Sequence, residues 1–439
     1  MQSFTSFVAS AAAAVLLLSA PAPATAQGTS ITLADAIARG RSNGIQGALA
    51  RLSARSVDVR RSQRAGDFLP NITGNAVAIR QTVNLTEFGL SFPGVPEVTD
   101  PFTVYRFKLG AEQLLFSQAT IQRLRAAKDT ALAANLDAAR VGEISAAAAG
   151  VAWLRLATAE ERIHGIEADS ITAAALLEIA RAQVDAGTAP RIDRTRTETQ
   201  LVATRSRLAV ARNERDRARL DLARALDLPV STPVTTSGDP MVAIAGLPTD
   251  ADSAVAMARV RRQDLAAERE RTAVAERNLS AIKSEFYPSL GLSAGLGTSG
   301  VGLDKLAGTW NVGLGLSWPI FDGFRRDRRA DEQRLRIDAQ KLRLHDLESQ
   351  IEADARQAAL DIASANSQIV IAQEHLRLAE QELQEARERF AAGVTGSVET
   401  TNAQADVSNA RDVLIQARIA AGAAQVSAAK ALGLLDQVH

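Results

Sequence analysis

The feature that most constrains this chain is a long heptad repeat in its C-terminal half. Between Asp322 and Ala392, apolar residues recur at alternating steps of four and three, at Ala358, Ile362, Ala365, Ile369, Ala372, Leu376, Ala379, Leu383, Ala386 and Phe390. Such spacing keeps one apolar stripe along a helix and predicts a helix of about 70 residues. At about 1.5 Å per residue this helix is about 100 Å long. It therefore needs a partner of comparable length.

A second stripe lies 206 residues earlier and indicates an internal repeat. Shifting the first stripe by that distance gives Ala152, Leu156, Ala159, Ile163, Ile166, Ser170, Ala173, Leu177, Ala180 and Val184, of which only Ser170 is not apolar. Gly393 maps onto Gly187 and Leu432 onto Leu226 under the same shift. The repeat thus supplies a second rod, and shorter helical segments near 32–66, 193–226, 253–286 and 397–434 are expected to stack end to end alongside the long ones.

Composition excludes several classes of function. Lys+Arg and Asp+Glu both number 50, so no basic excess draws the chain onto nucleic acid. Cys is absent, which excludes disulfides, thiol catalysis and cysteine metal sites. Only 4% of the residues are aromatic, which suits Ala-rich helix packing better than one large globular core.

The N-terminal 26 residues have the pattern of a cleaved signal peptide. An apolar run from Phe7 to Ala20 is followed by Pro21 and by a small-x-small site that ends at Ala26, although residues 2–6 contain no Lys or Arg. A short buried helix is the alternative. No later run approaches the ~18 uninterrupted apolar residues of a transmembrane helix, so we expect an exported chain without a helical membrane span.

Two segments have the alternating pattern of β-hairpins, each ahead of a long helix. In the first, Val77, Ile79, Val83 and Leu85 are expected on one face, and Tyr105, Phe107, Leu109 and Ala111 alternate with charged residues. In the second, Leu290, Leu292, Ala294 and Leu296 and then Trp310, Val312, Leu314, Leu316 and Trp318 alternate with small or polar residues. Alternation of apolar and polar residues is typical of outer-membrane barrels, and the face of a soluble β-sandwich is the alternative. Four strands cannot close a barrel, so we expect several chains to complete it.

The resulting domain organisation is a signal peptide (1–26), a first repeat (27–229), a linker (230–250) and a second repeat (251–439). Each repeat comprises a helix, a β-hairpin, a long helix and a shorter helix. Ser117 and Asp322 are the predicted N-caps of the two long helices. The fold class is α+β, with an outer-membrane barrel of four strands per chain that continues into a long periplasmic barrel of coiled-coil helices.

Six short motifs stand at the starts of helices, before the hairpins and at the helix turns: Thr32-Leu33-Ala34-Asp35-Ala36, Phe68-Leu69-Pro70, Tyr287-Pro288-Ser289-Leu290, Leu316-Ser317-Trp318-Pro319-Ile320-Phe321-Asp322-Gly323, Ala186-Gly187-Thr188 and Ala392-Gly393-Val394. In this order they resemble the motifs of the TolC-like outer-membrane efflux proteins over essentially all of the mature chain. The resemblance implies a homotrimer with a twelve-stranded barrel in the outer membrane, which docks tip-first onto a periplasmic adaptor that serves an inner-membrane pump. The function it implies is a passive exit duct of a tripartite efflux or type I secretion system. The alternative is an exported coiled-coil structural protein or adhesin without channel activity.

Candidate site residues follow from the helix ends and the strands. By resemblance, Asp193 and Glu399 line the periplasmic entrance, together with Thr395 and Asn402, which stand where the family has an arginine and a second acid. Alternatively, the two acids only complement the helix dipoles. The residues expected to dock the adaptor are the tips Gly187, Thr188, Gly393 and Val394. Those of the membrane aromatic girdle are Tyr105, Phe107, Trp310 and Trp318.

Other charged residues yield weaker expectations. Arg325, Arg326, Arg328 and Arg329 are interpreted as a solvated helix face or as contacts to anionic headgroups of outer-membrane lipid. Arg106 and Lys108 are expected to project into the barrel lumen. The four histidines lack metal-ligand spacing, and the Gly291–Gly295 match to a nucleophile elbow lies inside a predicted strand. We therefore expect no enzyme activity, no catalytic residue, no cofactor and no metal site.

Overall fold

A computed structural model describes residues 29–90, 93–94, 96–239, 247–248 and 250–437. The predicted signal peptide, part of the predicted linker and His439 lie outside these residues. The described part forms the helices α1 (Leu33–Asn43), α2 (Ile45–Gly66), α3 (Gln118–Asp185), α4 (Arg191–Ala225), α5 (Ala251–Arg261), α6 (Gln263–Ser284), α7 (Arg325–Ala391) and α8 (Ser397–Leu432). Its strands are β1 (Thr29–Ile31), β2 (Asn71–Gln81), β3 (Phe102–Phe116), β4 (Val234–Thr236), β5 (Ser289–Gly300) and β6 (Ala307–Ser317).

The internal repeat is visible in the lengths of the elements. The long helices α3 and α7 have 68 and 67 residues, so each is about 100 Å long. Helices α1 and α5 both have 11 residues, and α2 and α6 both have 22. The single helices expected over 32–66 and 253–286 are each divided in two, at Gly44 and Arg262, because both residues have extended backbone, with ψ of 128° and 122°.

The two predicted N-caps of the long helices differ in outcome. The Ser117 side chain accepts a hydrogen bond from the Thr120 amide, which confirms it as the N-cap of α3. Asp322 lies two residues before the N-cap position, because Gly323 and Phe324 have left-handed backbone, with φ of 71° and 62°. Helix α7 therefore begins only at Arg325, and Phe324 occupies the cap position. The Asp322 carboxylate nevertheless accepts a hydrogen bond from the Arg326 amide in the first turn at 3.1 Å, so Asp322 caps the helix from outside the predicted position.

Most residues of both stripes are buried, but the two stripes do not pack against each other. Ala379, Leu383 and Ala386 of α7 pack on α8, and Ala173 and Leu177 of α3 pack on α4. Upstream, α6 and α5 cover α7, and α2 and α1 cover α3. Each long helix is thus covered by shorter helices that follow one another along its length. The expectation that the two long helices, α3 and α7, pair with each other is wrong except at Phe390 of α7, which packs on α3.

The main hydrophobic core lies about half-way along the long helices. Trp153 of α3 is fully buried there, and its indole Nε1 donates to the Ile31 carbonyl at 2.7 Å. Ile31 ends β1, which pairs in parallel with β4, a strand that the sequence analysis did not predict. The segment before α1 and the segment after α4 are therefore tied to the middle of the helical bundle.

The larger sheet contains the two predicted hairpins in the order β2-β3-β5-β6, with every neighbouring pair antiparallel. A β-bulge near Leu115 interrupts the register between β3 and β5. In the part of the chain that the structure describes, β2 and β6 each pair on one side only. Among the described residues, no helix is long and apolar enough to cross a membrane.

Candidate functional site

The strand register gives the larger sheet one continuous apolar face across β3, β5 and β6. Leu109 pairs with Leu296, which pairs in turn with Trp310, and residues paired across neighbouring strands share a face. This apolar sheet face comprises Tyr105, Phe107, Leu109, Ala111, Leu290, Leu292, Ala294, Leu296, Trp310, Val312, Leu314 and Leu316. It is uncovered in the single chain, where Trp310 is 76% exposed. The alternation predicted for these three strands is confirmed.

The opposite face, the polar sheet face, consists largely of glycine, serine and threonine with a few charged residues. Lys108 pairs with Gly297, and Gly295 pairs with Asn311. A Cβ atom at Gly295 would lie 3.6 Å from Lys108 Cε and 2.5 Å from Asn311 Oδ1. Lys108 and Asn311 thus lie over a glycine on the face opposite to the tryptophans, and Arg106 lies on the same face.

The expectation for β2 is wrong. Val77 pairs with Arg106 and Ile79 with Val104, so both apolar residues lie on the polar sheet face. Alanines instead share a face with the aromatic residues of β3, because Ala76 pairs with Phe107. Strand β2 also ends at Gln81, before the predicted Val83 and Leu85. The register with β3 decides which side of β2 continues the apolar sheet face, and the alternation within β2 does not reveal that register.

The two tryptophans of the predicted girdle lie at opposite ends of the apolar sheet face. Trp310 is near the start of β6 and pairs with Leu296, whereas Trp318 directly follows β6. Eight residues of extended chain separate them, which corresponds to about 26 Å at about 3.3 Å per residue. Tyr105 and Phe107 lie near the Trp310 end, and Trp318 Nε1 donates to the Phe286 carbonyl at 3.1 Å.

Both predicted helix tips end in a Schellman motif, and both have a glycine in left-handed conformation. Gly187 and Gly393 each have φ of 72°. After them, the Thr188 amide donates to the Gln183 carbonyl at 2.9 Å and the Val394 amide to the Arg389 carbonyl at 3.0 Å. This geometry satisfies the last carbonyls of α3 and α7. The four tip residues are exposed, and Val394 presents 69% of its surface.

Asp193 is buried and hydrogen-bonded at the helix tips. It is 4% exposed, and its Oδ1 accepts from the Ser397 amide at 3.3 Å and from the Ser397 hydroxyl at 2.5 Å. Gly396, the N-cap of α8, has no side chain that could cap the helix. Asp193 of the first repeat therefore caps a helix of the second repeat.

Glu399 occupies the equivalent position in the second repeat but has a different partner. It is half-buried and forms an ion pair with Arg389 of α7 at 2.8 Å. Nearby, Asn402 is exposed on α8, whereas the Thr395 hydroxyl is buried without a hydrogen-bond partner. The structure brings Asp193, Glu399 and Thr395 together at the tips. A role for any of them in the entrance remains a prediction.

A buried polar cluster that the sequence analysis missed joins the two repeats above the tips. Asp169 of α3 is 4% exposed, and its carboxylate accepts from Gln404 at 3.2 Å, Ser408 at 2.5 Å and Arg411 at 2.6 Å, all on α8. Arg162 of α3 reaches the same helix at Asp412. Gln404, Ser408 and Arg411 lie four and three positions apart and therefore on one face of α8. This spacing of polar residues is the sequence signal from which the cluster could have been predicted.

The arginine cluster at the start of α7 is not a uniformly solvated face. Arg326 is 4% exposed, its Nε donates to Asp322 at 2.9 Å, and its Nη1 donates to the Glu285 carbonyl at 2.9 Å. Its guanidinium also lies 4.2 Å from the Phe286 ring centroid. Arg329 pairs with the Glu285 carboxylate. The interpretation of this cluster as solvated is wrong for Arg326, which ties α7 to the end of α6.

The helix break at Arg262 is held by two carboxylates. Arg262 forms ion pairs of 2.7 Å with Asp264 and with Asp354 of α7. Burial opposes ionisation of Asp264, but the hydrogen bonds and the charge of Arg262 outweigh it and hold the pKa of Asp264 below its ordinary value.

Among the described residues, no group of three or more His, Cys, Asp or Glu is arranged to hold a metal ion.

Comparisons with known proteins agree with this geometry. Residues 254–434 match the family model described as outer membrane efflux protein, which confirms the resemblance for the second repeat. The fold is similar to that of the CmeC outer membrane channel of Campylobacter jejuni (17% identity, TM-score 0.79, 91% of this chain and 85% of that chain). It is also similar to the VceC outer membrane protein of Vibrio cholerae (16%, 0.75, 91% and 96%) and to the open state of the Neisseria gonorrhoeae MtrE outer membrane channel (20%, 0.74, 91% and 88%). No curated protein sequence matches this chain.

Proposed function

From the premise that this chain has the fold of the outer membrane efflux proteins and matches their family over residues 254–434, we propose that it forms an outer-membrane exit duct. It conducts substrates passively from a pump and adaptor complex of a tripartite efflux or type I secretion system. The duct crosses the outer membrane through the larger sheet and extends into the periplasm along α3 and α7.

The observation that carries this proposal is an apolar sheet face with two open edges. Strands β2 and β6 have no partner on their outer sides among the described residues, which also leave the apolar sheet face uncovered. In hydrocarbon, unpaired backbone groups cost several kcal/mol each, so lipid can cover the face only if other copies pair the edges. A coiled-coil scaffold or adhesin would have no use for such a sheet.

The helices support closure by further copies of the chain. Near the tips, α4 packs on α3, α3 on α8 and α8 on α7, which leaves the outer sides of α4 and α7 uncovered. Helix α4 contains ten arginines and five carboxylates. From Ala358 to its end, α7 contains six carboxylates and three arginines. This opposite charge favours contact between α4 of one copy and α7 of the next, and a homotrimer places twelve strands in the barrel.

The exposed tips are the proposed contact to the periplasmic adaptor. Gly187, Thr188, Gly393 and Val394 lie at the ends of α3 and α7 that are farthest from the sheet. A duct that opens there needs the adaptor to seal it against an inner-membrane pump. Glu399 and Asn402, next to the second tip, are the proposed residues of the periplasmic entrance.

Two measurements test the duct itself. Full-length protein extracted from outer membranes in detergent should run as a trimer and should produce discrete conductance steps in planar lipid bilayers. A strain that lacks the protein should accumulate compounds that its pump normally removes. A monomeric, water-soluble protein without bilayer conductance would contradict the proposal.

Adaptor docking is tested separately, by cross-linking in cells. We expect Val394→Asp to reduce adaptor cross-links at the tip at least tenfold while trimers and bilayer conductance persist. Val398→Asp, one turn further along on α8, is the matched control, because Val398 is 47% exposed but lies beyond the turn. Equal cross-linking by the parent and by Val394→Asp would contradict docking at this tip.

A further inference from the structure

A cavity of about 460 Å³ lies at the junction of α1, α2 and α3 and is lined by arginines. Arg41 comes from α1, Arg51 and Arg55 from α2, and Gly142 is part of the α3 wall. This cavity lies away from the helix tips and about 30 Å along α3 from the sheet, judged from about 1.5 Å per residue.

In the second repeat, glutamates neutralise the arginines that correspond to Arg41 and Arg51. Helices α1 and α2 correspond to α5 and α6, so Arg41 corresponds to Arg259 and Arg51 to Arg269. Arg259 pairs with Glu352 at 3.1 Å, and Arg269 pairs with Glu348 at 3.6 Å.

The first repeat keeps the arginines and lacks the carboxylates. By the shift of 206 residues that relates α3 to α7, Glu348 corresponds to Gly142 and Glu352 to Ala146. Gly142 leaves open space on the cavity wall, and Ala146 is fully buried in the hydrophobic core, so neither position supplies an acidic side chain. The cavity is therefore a positively charged site from which the internal counter-charges are missing.

The hydrogen-bond donors of this site are incompletely satisfied. The Nε and Nη2 atoms of Arg41 are buried and have no acceptor among the residues that the structure describes. Arg51 donates only to backbone carbonyls, those of Arg41 and Ser42. Arg55 forms no ion pair with any described residue. A buried charged donor without an acceptor is costly, so an acceptor from outside the chain would stabilise this arrangement.

The one carboxylate among the described lining residues does not fill this role. Glu143 attracts Arg41 electrostatically but forms no ion pair with it, and burial raises the pKa of Glu143. Three guanidinium groups against one carboxylate leave the lining with an excess of positive charge.

We infer that this cavity binds a small oxyanion, of the phosphate or carboxylate class, whose oxygen atoms take the place of the two missing glutamates. Guanidinium groups bind such anions through paired, charge-assisted hydrogen bonds. The distance from the sheet excludes the headgroups of the outer membrane, so the ligand is a soluble periplasmic anion. The inference does not depend on channel activity.

Isothermal titration calorimetry of the detergent-purified, full-length protein with inorganic phosphate tests the inference. Ionic strength is held constant with chloride, and citrate titrated in the same way represents the carboxylate class. We expect one phosphate or citrate per chain. The variant Arg41→Gln with Arg51→Gln should bind at least tenfold more weakly, whereas Arg259→Gln with Arg269→Gln, at the neutralised positions of the second repeat, should bind like the parent.

A second variant keeps the test informative if the arginine substitutions disturb folding. Gly142→Glu restores the glutamate of the second repeat, and a Cβ atom there fits, since its nearest neighbours, both in Arg41, lie at 3.7 and 3.8 Å. We expect it to remain trimeric and to lose phosphate and citrate binding at least tenfold, while Gly142→Ala binds like the parent. No binding of either anion to the parent protein at 10 mM, or equal binding by Gly142→Glu, would overturn the inference.

Discussion

Asp193 in the first turn of α4 accepts two hydrogen bonds from Ser397 in the first turn of α8, one from the backbone amide and one from the hydroxyl. The two residues belong to different repeats. Because Gly396 cannot cap α8 with its own side chain, this contact supplies the cap and also fixes the two helix tips relative to each other.

Asp193→Ala should therefore loosen the start of α8. An N-cap acceptor contributes about 1 kcal/mol, so we expect several-fold faster hydrogen exchange of the amides at Ser397 and in the following turn. Asp193→Asn is the matched control, because its side-chain oxygen still accepts the hydrogen bond. Unchanged exchange in the alanine variant would show that Ser397 is held by other contacts.

Glu399→Gln should change ion selectivity if this residue lines the periplasmic entrance. Copies of the same carboxylate around a pore axis favour cations, so we expect the reversal potential in a KCl gradient to shift toward anion passage. The buried Asp193→Asn should leave the potential nearly unchanged. Identical potentials for Glu399→Gln and the parent would place Glu399 outside the conducting path.

Gly393→Val should destabilise the second helix tip. Gly393 has φ of 72°, and a left-handed residue with a Cβ atom costs about 1–2 kcal/mol, more if it is β-branched. We expect faster exchange of the Val394 amide, which donates to the Arg389 carbonyl, and weaker adaptor cross-linking. Gly393→Asn should be close to the parent, since asparagine tolerates this backbone. If valine exchanges no faster than asparagine, the turn does not depend on glycine.

Asp264→Asn should lower stability in a pH-dependent way. The folded pKa of Asp264 lies below the ordinary value of 3.8, so the ionised pair with Arg262 stabilises the fold above pH 3.8 and is lost as the pH falls through the folded pKa. At pH 7 we expect a cost of about 1.5–3 kcal/mol, measured as a lower melting temperature, which shrinks below pH 3.8.

Asp252→Asn is the control for this experiment. Asp252 also pairs with an arginine, Arg356, but its side chain is 86% exposed, so its loss should change the melting temperature little at any pH. An equal loss for Asp264→Asn at pH 3 and pH 7 would contradict the pairing argument.

Periodic and local features of the fold could be predicted from the sequence. The stripe that includes Ala379 and Leu383 is buried, and Gly187 and Gly393 end the two long helices. The alternation from Trp310 to Trp318 gives a strand with one apolar face. These features depend on residues a few positions apart in the chain, so they can be recognised from the sequence alone.

The partners of these elements could not be predicted in the same way. Both long helices have nearly the same stripe, yet shorter helices cover each of them. Val77 lies on the polar sheet face only because Ala76 pairs with Phe107. Equivalent acids in the two repeats, Asp193 and Glu399, have different partners on different helices.

The two long helices, the β-hairpins, the internal repeat and the glycine turns follow from the order of the residues, since backbone preference and hydrophobic periodicity act over short distances along the chain. Which side of each strand joins the apolar sheet face, where Gly44 and Arg262 divide the helices, and which charges lack partners among the described residues became known from the folded chain. These features depend on contacts between residues far apart in the chain. Arg41 and Arg259 are equivalent in sequence, but the packing of α3 and α7 gives Arg259 an ion pair with Glu352, whereas Nε and Nη2 of Arg41 find no acceptor among the described residues.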